Sequence, residues 1–370
     1  MPRHQPQFDD LLDVPATVSA RLVPNVHPII TNVPYRIAIV GEAPGTDEVA
    51  QGIPFVGASG RELDKYLSKV GILRDACFIG NVCQQQPPGN KLAYFSWDGP
   101  EIQNGLAQLK HDLSIFSPFL VWCLGGTALH AFKLGIHNAP SKRKTKDGPT
   151  FAFDHSIGDW RGSLFIGHLD SPLPGVKCVA SYHPAAALRN FEWMPTILLD
   201  LLFKVKKQAE FPELRLPLRE LKVNLSLDEL LTELDKIKLD KPLISIDIEG
   251  GIGTLSCISV ASSPSTAFII PFTKADNTSF WNVDDECRIW KSLASVLADG
   301  SIPKCLQNSL YDRFVLQYSY GAVMRGVTDD TMLKWWELYC EMPKSLGFQA
   351  SVLTEEPYWK EERIQAEQKL

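Results

Sequence analysis

The sequence predicts an α/β protein of two domains, and three observations carry that reading. Up to residue 207, short apolar runs alternate with helical stretches. The runs are Arg36–Val40, Cys77–Val82, Leu120–Leu124 and Lys177–Ser181. The helical stretches lie near Ser59–Val70, Pro100–Phe116, Thr127–Leu134 and Thr196–Lys207. Such alternation implies a parallel sheet covered by helices on both faces. Residues 208–224 then carry two prolines and mixed charge, which reads as a linker. Beyond it, strands follow one another at Leu243–Ile248, Thr254–Ala261 and Thr266–Pro271 with short turns between, an antiparallel meander.

The chain of 370 residues is long enough for two full cores. Its hydrophobic fraction of 45% and charged fraction of 22% suit a soluble globular protein. A net charge of −6 excludes a global positive field, so any nucleic acid would have to meet local basic patches. Two patches stand out, Lys142-Arg143-Lys144 with Lys146, and Lys204 with Lys206 and Lys207. Taken alone, each reads as a solvated face. The eight cysteines are scattered without a Cys-x-x-Cys pair, which argues against zinc and for buried free thiols in a reducing cytoplasm. The first ten residues lack the apolar core of a signal peptide, and no apolar run is long enough to span a membrane.

Taken in order, residues 1–33 are Pro-rich and read as an N-terminal arm. Ile37–Val40 is apolar throughout, as a buried parallel strand requires. A turn with glycines at both ends follows, Gly41-Glu42-Ala43-Pro44-Gly45, and glycine lets backbone approach a ligand closely. Strand ends of this kind carry the ligand sites of open α/β sheets. Ser141–Asp154 is polar and basic and reads as a loop. In the second domain, Ser226-Leu227-Asp228-Glu229 is a capping box opening an amphipathic helix towards Ile237. A helix is expected over Asp284–Ala298, a strand at Lys304–Gln307, a helix on to Tyr318, a strand at Val327–Thr331 and a helix through Tyr339.

The string from Gly41 to Leu63 resembles motif A of the uracil-DNA glycosylase superfamily, most closely its family 4 enzymes. That motif runs Gly-Glu-x-Pro-Gly, then an acid, then Gly-x-Pro-Phe-Val-Gly-x-x-Gly-x-x-Leu, and every part stands here. Ser181–Asn190, SYHPAAALRN, resembles motif B. Gly80-Asn81-Val82 with Pro87-Pro88-Gly89-Asn90 matches the strand and loop between them. The resemblance covers residues 34–207 and implies an α/β/α glycosylase-like domain that hydrolyses an N-glycosidic bond after flipping a base from DNA. It implies Phe55 beneath the base, Asn81 reading the uracil edge, and His183 donating to O2 as charge develops. Glu42 and Glu48 are both candidates for positioning water and stay unranked. Ala43 stands where other branches place a catalytic Asp, so water activation should be less direct. Leu188 and Arg189 would wedge the vacated stack and hold phosphate. Family 4 enzymes carry an iron-sulfur cluster on four cysteines, two near the N-terminus and two after the Asn strand. Here no cysteine precedes Cys77, and Gln85 and Gly105 occupy the later positions, so no cluster is expected.

In the second domain, Asp247 and Glu249 share one face of a strand, since side chains alternate. Paired carboxylates repel unless a cation lies between them, and oxygen ligands favour Mg²⁺ or Mn²⁺. Asp312 could supply a third. Asp247-x-Glu249 and Asn308-x-x-x-Asp312 resemble the first two motifs of the 3′–5′ proofreading exonuclease domain of family A DNA polymerases, and Asp329–Met332 and Ser345–Lys360 also fit. The resemblance implies a ribonuclease H-like fold over residues 225–370, with Asp247, Glu249 and Asp312 as metal-binding catalytic acids. The last motif of that group, Tyr-x-x-x-Asp, is not found after Tyr339; Tyr358 and Glu362 have the spacing with Glu instead. This implies a domain incomplete at its C-terminus, either part of a longer or split polymerase or an inactive nuclease. The combined expectation is a DNA replication or repair hydrolase in the cytoplasm of a bacterium or phage-infected host. Its partners would be uracil-containing DNA, single strands or 3′ ends, and a polymerase segment or chain. The rival expectations are a non-catalytic DNA-binding accessory of a polymerase and a glycosylase for a modified pyrimidine.

Overall fold

The computed structural model describes residues 21–359, so the first twenty residues of the expected arm and the stretch from residue 360 onward lie outside the described residues. The described chain divides into two compact units, one of residues 21–214 with 350–359, the other of residues 215–349.

The first unit is built on a five-stranded sheet. Its elements run β1 (Ile37–Gly41), α1 (Thr46–Gln51), α2 (Ala58–Val70), β2 (Phe78–Asn81), α3 (Pro100–Phe116), β3 (Leu120–Leu124) and α4 (Gly126–Lys133). There follow β4 (Ser141–Thr145), β5 (Gly148–Ala152), α5 (Ile157–Trp160), β6 (Leu164–Ile166), β7 (Lys177–Ser181), α6 (Pro184–Arg189) and α7 (Trp193–Asp200). A π-helical turn, Leu201–Val205, carries α7 into α8 (Lys206–Gln208). The sheet order is β2-β1-β3-β7-β6. The four expected strands make three parallel pairings, but β6 runs antiparallel to β7, so the sheet is mixed at one edge. At three residues, β6 is too short to show a strand pattern in sequence. Alternate residues of β1, β3 and β7 feed two cores. Val40, Cys123 and Ala180 join Leu106 and Leu109 of α3 on one face, while Ile39, Trp122 and Val179 join Leu63 and Leu67 of α2 on the other. Both faces are therefore apolar, as in any parallel sheet between helix layers.

Residues 21–30 run along the outer edge of β2, with Val26 exchanging backbone hydrogen bonds with Ile79 at 2.8 and 3.0 Å. They cover a strand edge that would otherwise offer unpaired backbone groups. The expected loop at Ser141–Asp154 is instead a β-hairpin, β4 pairing with β5 from Ser141↔Ala152 to Thr145↔Gly148. The turn explains it. Lys146-Asp147 link the strands, Gly148 takes φ +112°, and Thr145 Oγ1 donates to the Gly148 carbonyl at 2.7 Å. An Asp-Gly step is a strong hairpin signal, which the basic composition hides.

The second unit holds a six-stranded sheet in the order β13-β12-β9-β10-β11-β8. Its elements are β8 (Glu220–Lys222), α9 (Leu227–Asp240), β9 (Ile244–Gly251), β10 (Thr254–Ser263), β11 (Thr266–Pro271), α10 (Val283–Ala298), β12 (Lys304–Leu306), α11 (Ser309–Tyr320), β13 (Val327–Asp330) and α12 (Thr331–Leu338). A last helix, α13 (Leu346–Leu353), follows. The meander β9-β10-β11 is antiparallel, and β12 and β13 add in parallel on the β9 side. The segment expected as a linker contributes β8, which pairs in parallel with β11. The capping box forms: Ser226 Oγ accepts from the Glu229 N–H, and the Ser226 N–H donates to Glu229 Oε2 at 2.8 Å.

Candidate active site

In the first unit the strand order reverses around β1, whose neighbours are β2 on one side and β3 on the other. Open sheets form a crevice at the carboxyl ends of strands at such a point. Here the crevice is a cavity of about 520 Å³, the size of a small-molecule site. Its wall comes from four strand ends: Glu42–Gly45 after β1, Asn81 closing β2, Leu124–Gly126 after β3, and Tyr182-His183 after β7. Glu48, Phe55 and Arg189 complete it. The structure thus brings together Glu42, Glu48, Phe55, Asn81, His183 and Arg189, residues spread over nearly 150 positions of chain. Leu188 is the exception. It is 38% exposed and does not line the cavity.

Phe55 is buried with a left-handed backbone, φ 55°. A non-glycine residue held there costs energy and signals a locally constrained loop. Glu48 supplies the constraint. Its buried carboxylate accepts the N–H of Gly57 at 2.7 Å, of Val56 at 3.1 Å and of Gly45 at 3.1 Å. One side chain thereby ties the start of α1 to the turn that carries Phe55 and to the start of α2. Gly41 sits against the same ring. A Cβ there would fall 2.5 Å from Phe55 Cζ and 2.7 Å from Asn81 Oδ1. The glycine is what lets the aromatic ring and the amide approach the strand end.

Asn81 is buried, and its main-chain carbonyl accepts from Gln84 Nε2 at 3.0 Å. Among the described residues its side-chain amide makes no hydrogen bond, so donor and acceptor both remain for a ligand. His183 caps α6 by accepting the Ala185 N–H on Nδ1 at 3.1 Å, and its ring stacks on Phe55 with centroids 5.5 Å apart. Burial, aided by the positive charge of Arg189, pushes its pKa down to about 4. A neutral ring whose Nδ1 accepts carries its proton on Nε2, so His183 is a fixed neutral donor.

Glu42 is paired with Thr127, whose hydroxyl donates to Oε2. Burial raises the Glu42 pKa, with that hydrogen bond and Arg189 opposing. The two unranked acids therefore differ in environment. Glu48 has both oxygens engaged by backbone, whereas Glu42 keeps one oxygen outside its bond to Thr127. Sequence reasoning missed Thr127 and the Tyr182–Trp193 pair, stacked at 4.5 Å on the cavity wall. The Gly125-Gly126-Thr127 step after β3 was the available signal for Thr127.

The residues at the cluster positions do not fit an iron-sulfur group. A Cβ at Gly105 would lie 2.4 Å from the Val82 carbonyl oxygen, which leaves no room for a cysteine on α3. The Cys83 thiol donates to the carbonyls of Gln85 and Glu101, and burial pushes its pKa up to about 12. A thiol held protonated is a poor iron ligand.

In the second unit, β9 alternates buried and exposed positions, and Asp247 and Glu249 both fall on the exposed face. Burial and then the Glu249 charge raise the Asp247 pKa. Asp312, on the buried side of α11, is pushed up to about 6 by burial, with Asp247 adding. The acids are thus coupled in pairs through Asp247. Among the described residues, however, no three His, Cys, Asp or Glu side chains gather into a metal-holding group, which departs from the expected three-ligand set. Like charges repel, and Glu249 sits where the β9–β10 register shifts. Asp330 holds the neighbouring turn, accepting the Ser309 N–H at 2.7 Å and the Met332 N–H at 2.9 Å.

A family model described as the uracil DNA glycosylase superfamily matches residues 28–204. Type-4 uracil-DNA glycosylases are similar to the same region. That of Pyrobaculum aerophilum is 32% identical over 154 residues, 42% of this chain and 68% of that protein. The Thermotoga maritima enzyme is 32% identical over 43% of this chain and 69% of its own, and the Archaeoglobus fulgidus enzyme 30% over 44% and 72%. Among solved structures, the EXD2 exonuclease domain soaked in Mn aligns with TM-score 0.24 and 20% identity, covering 32% of this chain and 58% of that one. The catalytic core of RRP6 from Trypanosoma brucei aligns with TM-score 0.30 and 18% identity, covering 38% and 36%. This chain therefore spans less than two thirds of either nuclease structure, and likeness at that level adds nothing to the topology described above. The matched region, the coverage of the type-4 enzymes and the gathered pocket agree: the chain belongs to the uracil-DNA glycosylase superfamily.

Proposed function

We propose that the first unit excises uracil from DNA by hydrolysing its N-glycosidic bond. The observation that carries this reading is the convergence of Phe55, an open Asn81 amide and a neutral His183 donor on one cavity. A flipped pyrimidine stacks on Phe55 while Asn81 offers a donor and an acceptor to its edge. As the glycosidic bond breaks, electrons move onto the base, and the Nε2–H of His183 donates to the developing charge on O2. A positioned neutral donor of this kind contributes about 10²–10³-fold in rate. Glu42, oriented by Thr127, holds the attacking water at the sugar. Glu48 holds the loop.

For the second unit we infer a divalent-cation 3′–5′ exonuclease ancestry, supported by the carboxylate pair on β9 and by Asp312 beside Asp247. Asp247, Glu249 and Asp312 would hold Mg²⁺ or Mn²⁺, and the ion would polarise a phosphodiester. The rival reading for this unit, a DNA-binding accessory of a polymerase that does not cut, predicts no digestion with Mg²⁺.

One experiment tests the glycosylase. A single-uracil oligonucleotide, single-stranded or duplex, is incubated with the protein in EDTA and then heated in alkali. Cleavage at the uracil is expected. An uncut strand at all enzyme concentrations contradicts the reading. The same protein with Mg²⁺ and a uracil-free strand shows 3′ laddering if the second unit is active.

A further inference from the structure

The basic hairpin is not used by the chemistry above, yet it stands beside it. We propose that β4–β5 is a grip for the phosphate backbone of the DNA strand whose base enters the cavity. This rests on the glycosylase reading for its strand, though not for its chemistry.

Four cations, Lys142, Arg143, Lys144 and Lys146, fall within five positions of a chain whose net charge is −6. Every residue of β4 is exposed. A two-stranded ribbon is marginal on its own, so something must hold this one in place. The inner strand does so. Phe151 meets Trp97 edge-on at 5.8 Å, and Phe153 just beyond β5 meets His130 at 5.0 Å. Lys142 Nζ donates to the Phe95 carbonyl at 2.8 Å. The ribbon is thus anchored on its apolar side, with Lys142 part of the anchor, and Arg143 and Lys146 are exposed.

Its position gives the cations a role. A second cavity of about 450 Å³ runs under the hairpin, lined by Thr145, Gly148, Thr150 and Phe151. It shares Glu42, Asn90 and Arg189 with the base cavity. The hairpin therefore borders a cavity continuous with the base site, and we assign its exposed Arg143 and Lys146 to the phosphates flanking the flipped nucleotide, with Asp147 of the turn on the cavity side. Such contacts release counterions, so they are recognised by salt dependence and carry no sequence preference.

The test uses the full chain with Arg143→Gln/Lys146→Gln, exposed positions where substitution is tolerated. Binding to a uracil-free fluorescent single strand of about twenty nucleotides is followed by anisotropy across salt concentrations. Losing two phosphate contacts lowers the slope of log K against log salt by about 1.4. The charge-preserving Arg143→Lys/Lys146→Arg variant keeps the parent slope. In excision assays the Gln variant shows a raised KM on the long strand, unchanged kcat, and no change on a uracil trinucleotide too short to reach the hairpin. An unchanged slope in the Gln variant overturns the grip, as does an equal loss on the trinucleotide. Because the anisotropy arm uses no uracil, absent excision would refute the glycosylase and leave the grip to be judged on binding.

Discussion

Glu48→Gln separates loop-holding from chemistry. Glu48 accepts three backbone N–H groups at 2.7–3.1 Å from a buried position. Hydrogen bonds to a charged acceptor contribute about 1.5–3 kcal/mol each. A Gln carbonyl can keep Val56 and Gly57, but its NH₂ then meets the Gly45 N–H, donor against donor. One charged bond is lost and two are weakened, a cost of about 2–3 kcal/mol. For a domain of this size that lowers Tm by roughly 5–10 °C. Phe55, strained at φ 55° beside Val56, loses its fixed orientation, so excision falls as well. Glu42→Gln should behave oppositely. Burial already disfavours the Glu42 charge, so a neutral isostere leaves Tm at or above the parent value. Excision should nonetheless fall about 10²–10⁴-fold if Glu42 holds the water. Circular dichroism melting with single-turnover excision reads both. Lost excision in Glu48→Gln at an unchanged Tm, or a destabilised Glu42→Gln with intact excision, would refute the division of roles.

Gly41→Ala places a methyl 2.5 Å from the Phe55 ring and should cost about 1–3 kcal/mol with about a 10²-fold loss of excision; parent behaviour in melting and kinetics would show that the ring moves freely. Asn81→Ala should abolish excision with Tm preserved, checked by the alkali assay and melting together. The pH profile of kcat should show its upper acid limb above the ordinary carboxylate range, because Glu42 must ionise and burial raises its pKa. The His183 limb follows only near pH 4, where protonation of Nδ1 breaks its bond to Ala185. Glu42→Gln should remove the upper limb alone. Asp247→Ala should abolish any Mg²⁺-dependent 3′ digestion, and digestion that persists would take the second unit's acids out of that chemistry.

Much of the first site was legible because its residues sit at fixed offsets around strand ends. Once Ile37–Val40 is a buried strand, Glu42 must emerge at its carboxyl end, while Asn81 closes a second strand of the same sheet and His183 follows the end of a third. The relative roles of Glu42 and Glu48 were not legible. They depend on where the N–H groups of Gly45, Val56 and Gly57 point, which no side-chain pattern encodes. Leu188 follows the motif but turns away from the cavity, since α6 has only six residues and presents Arg189 instead. The hairpin was hidden by its composition: β4 is polar throughout, β5 opens on Gly148-Pro149, and the anchors Phe151 and Phe153 lie on or just past β5 alone. On β9, alternation placed Asp247 and Glu249 on one face correctly, but the register shift opposite Glu249 could not be read from residue order.

The central claim is that one cavity holds a flipped uracil and hydrolyses its bond to the sugar without a metal. Mass spectrometry of a single-uracil strand treated with the protein in EDTA tests it most directly. The account predicts free uracil and an intact strand that lacks one base, with neither product from Asn81→Ala. A strand recovered unchanged from the parent protein, or one cut in its phosphodiester backbone with uracil still attached, would contradict it.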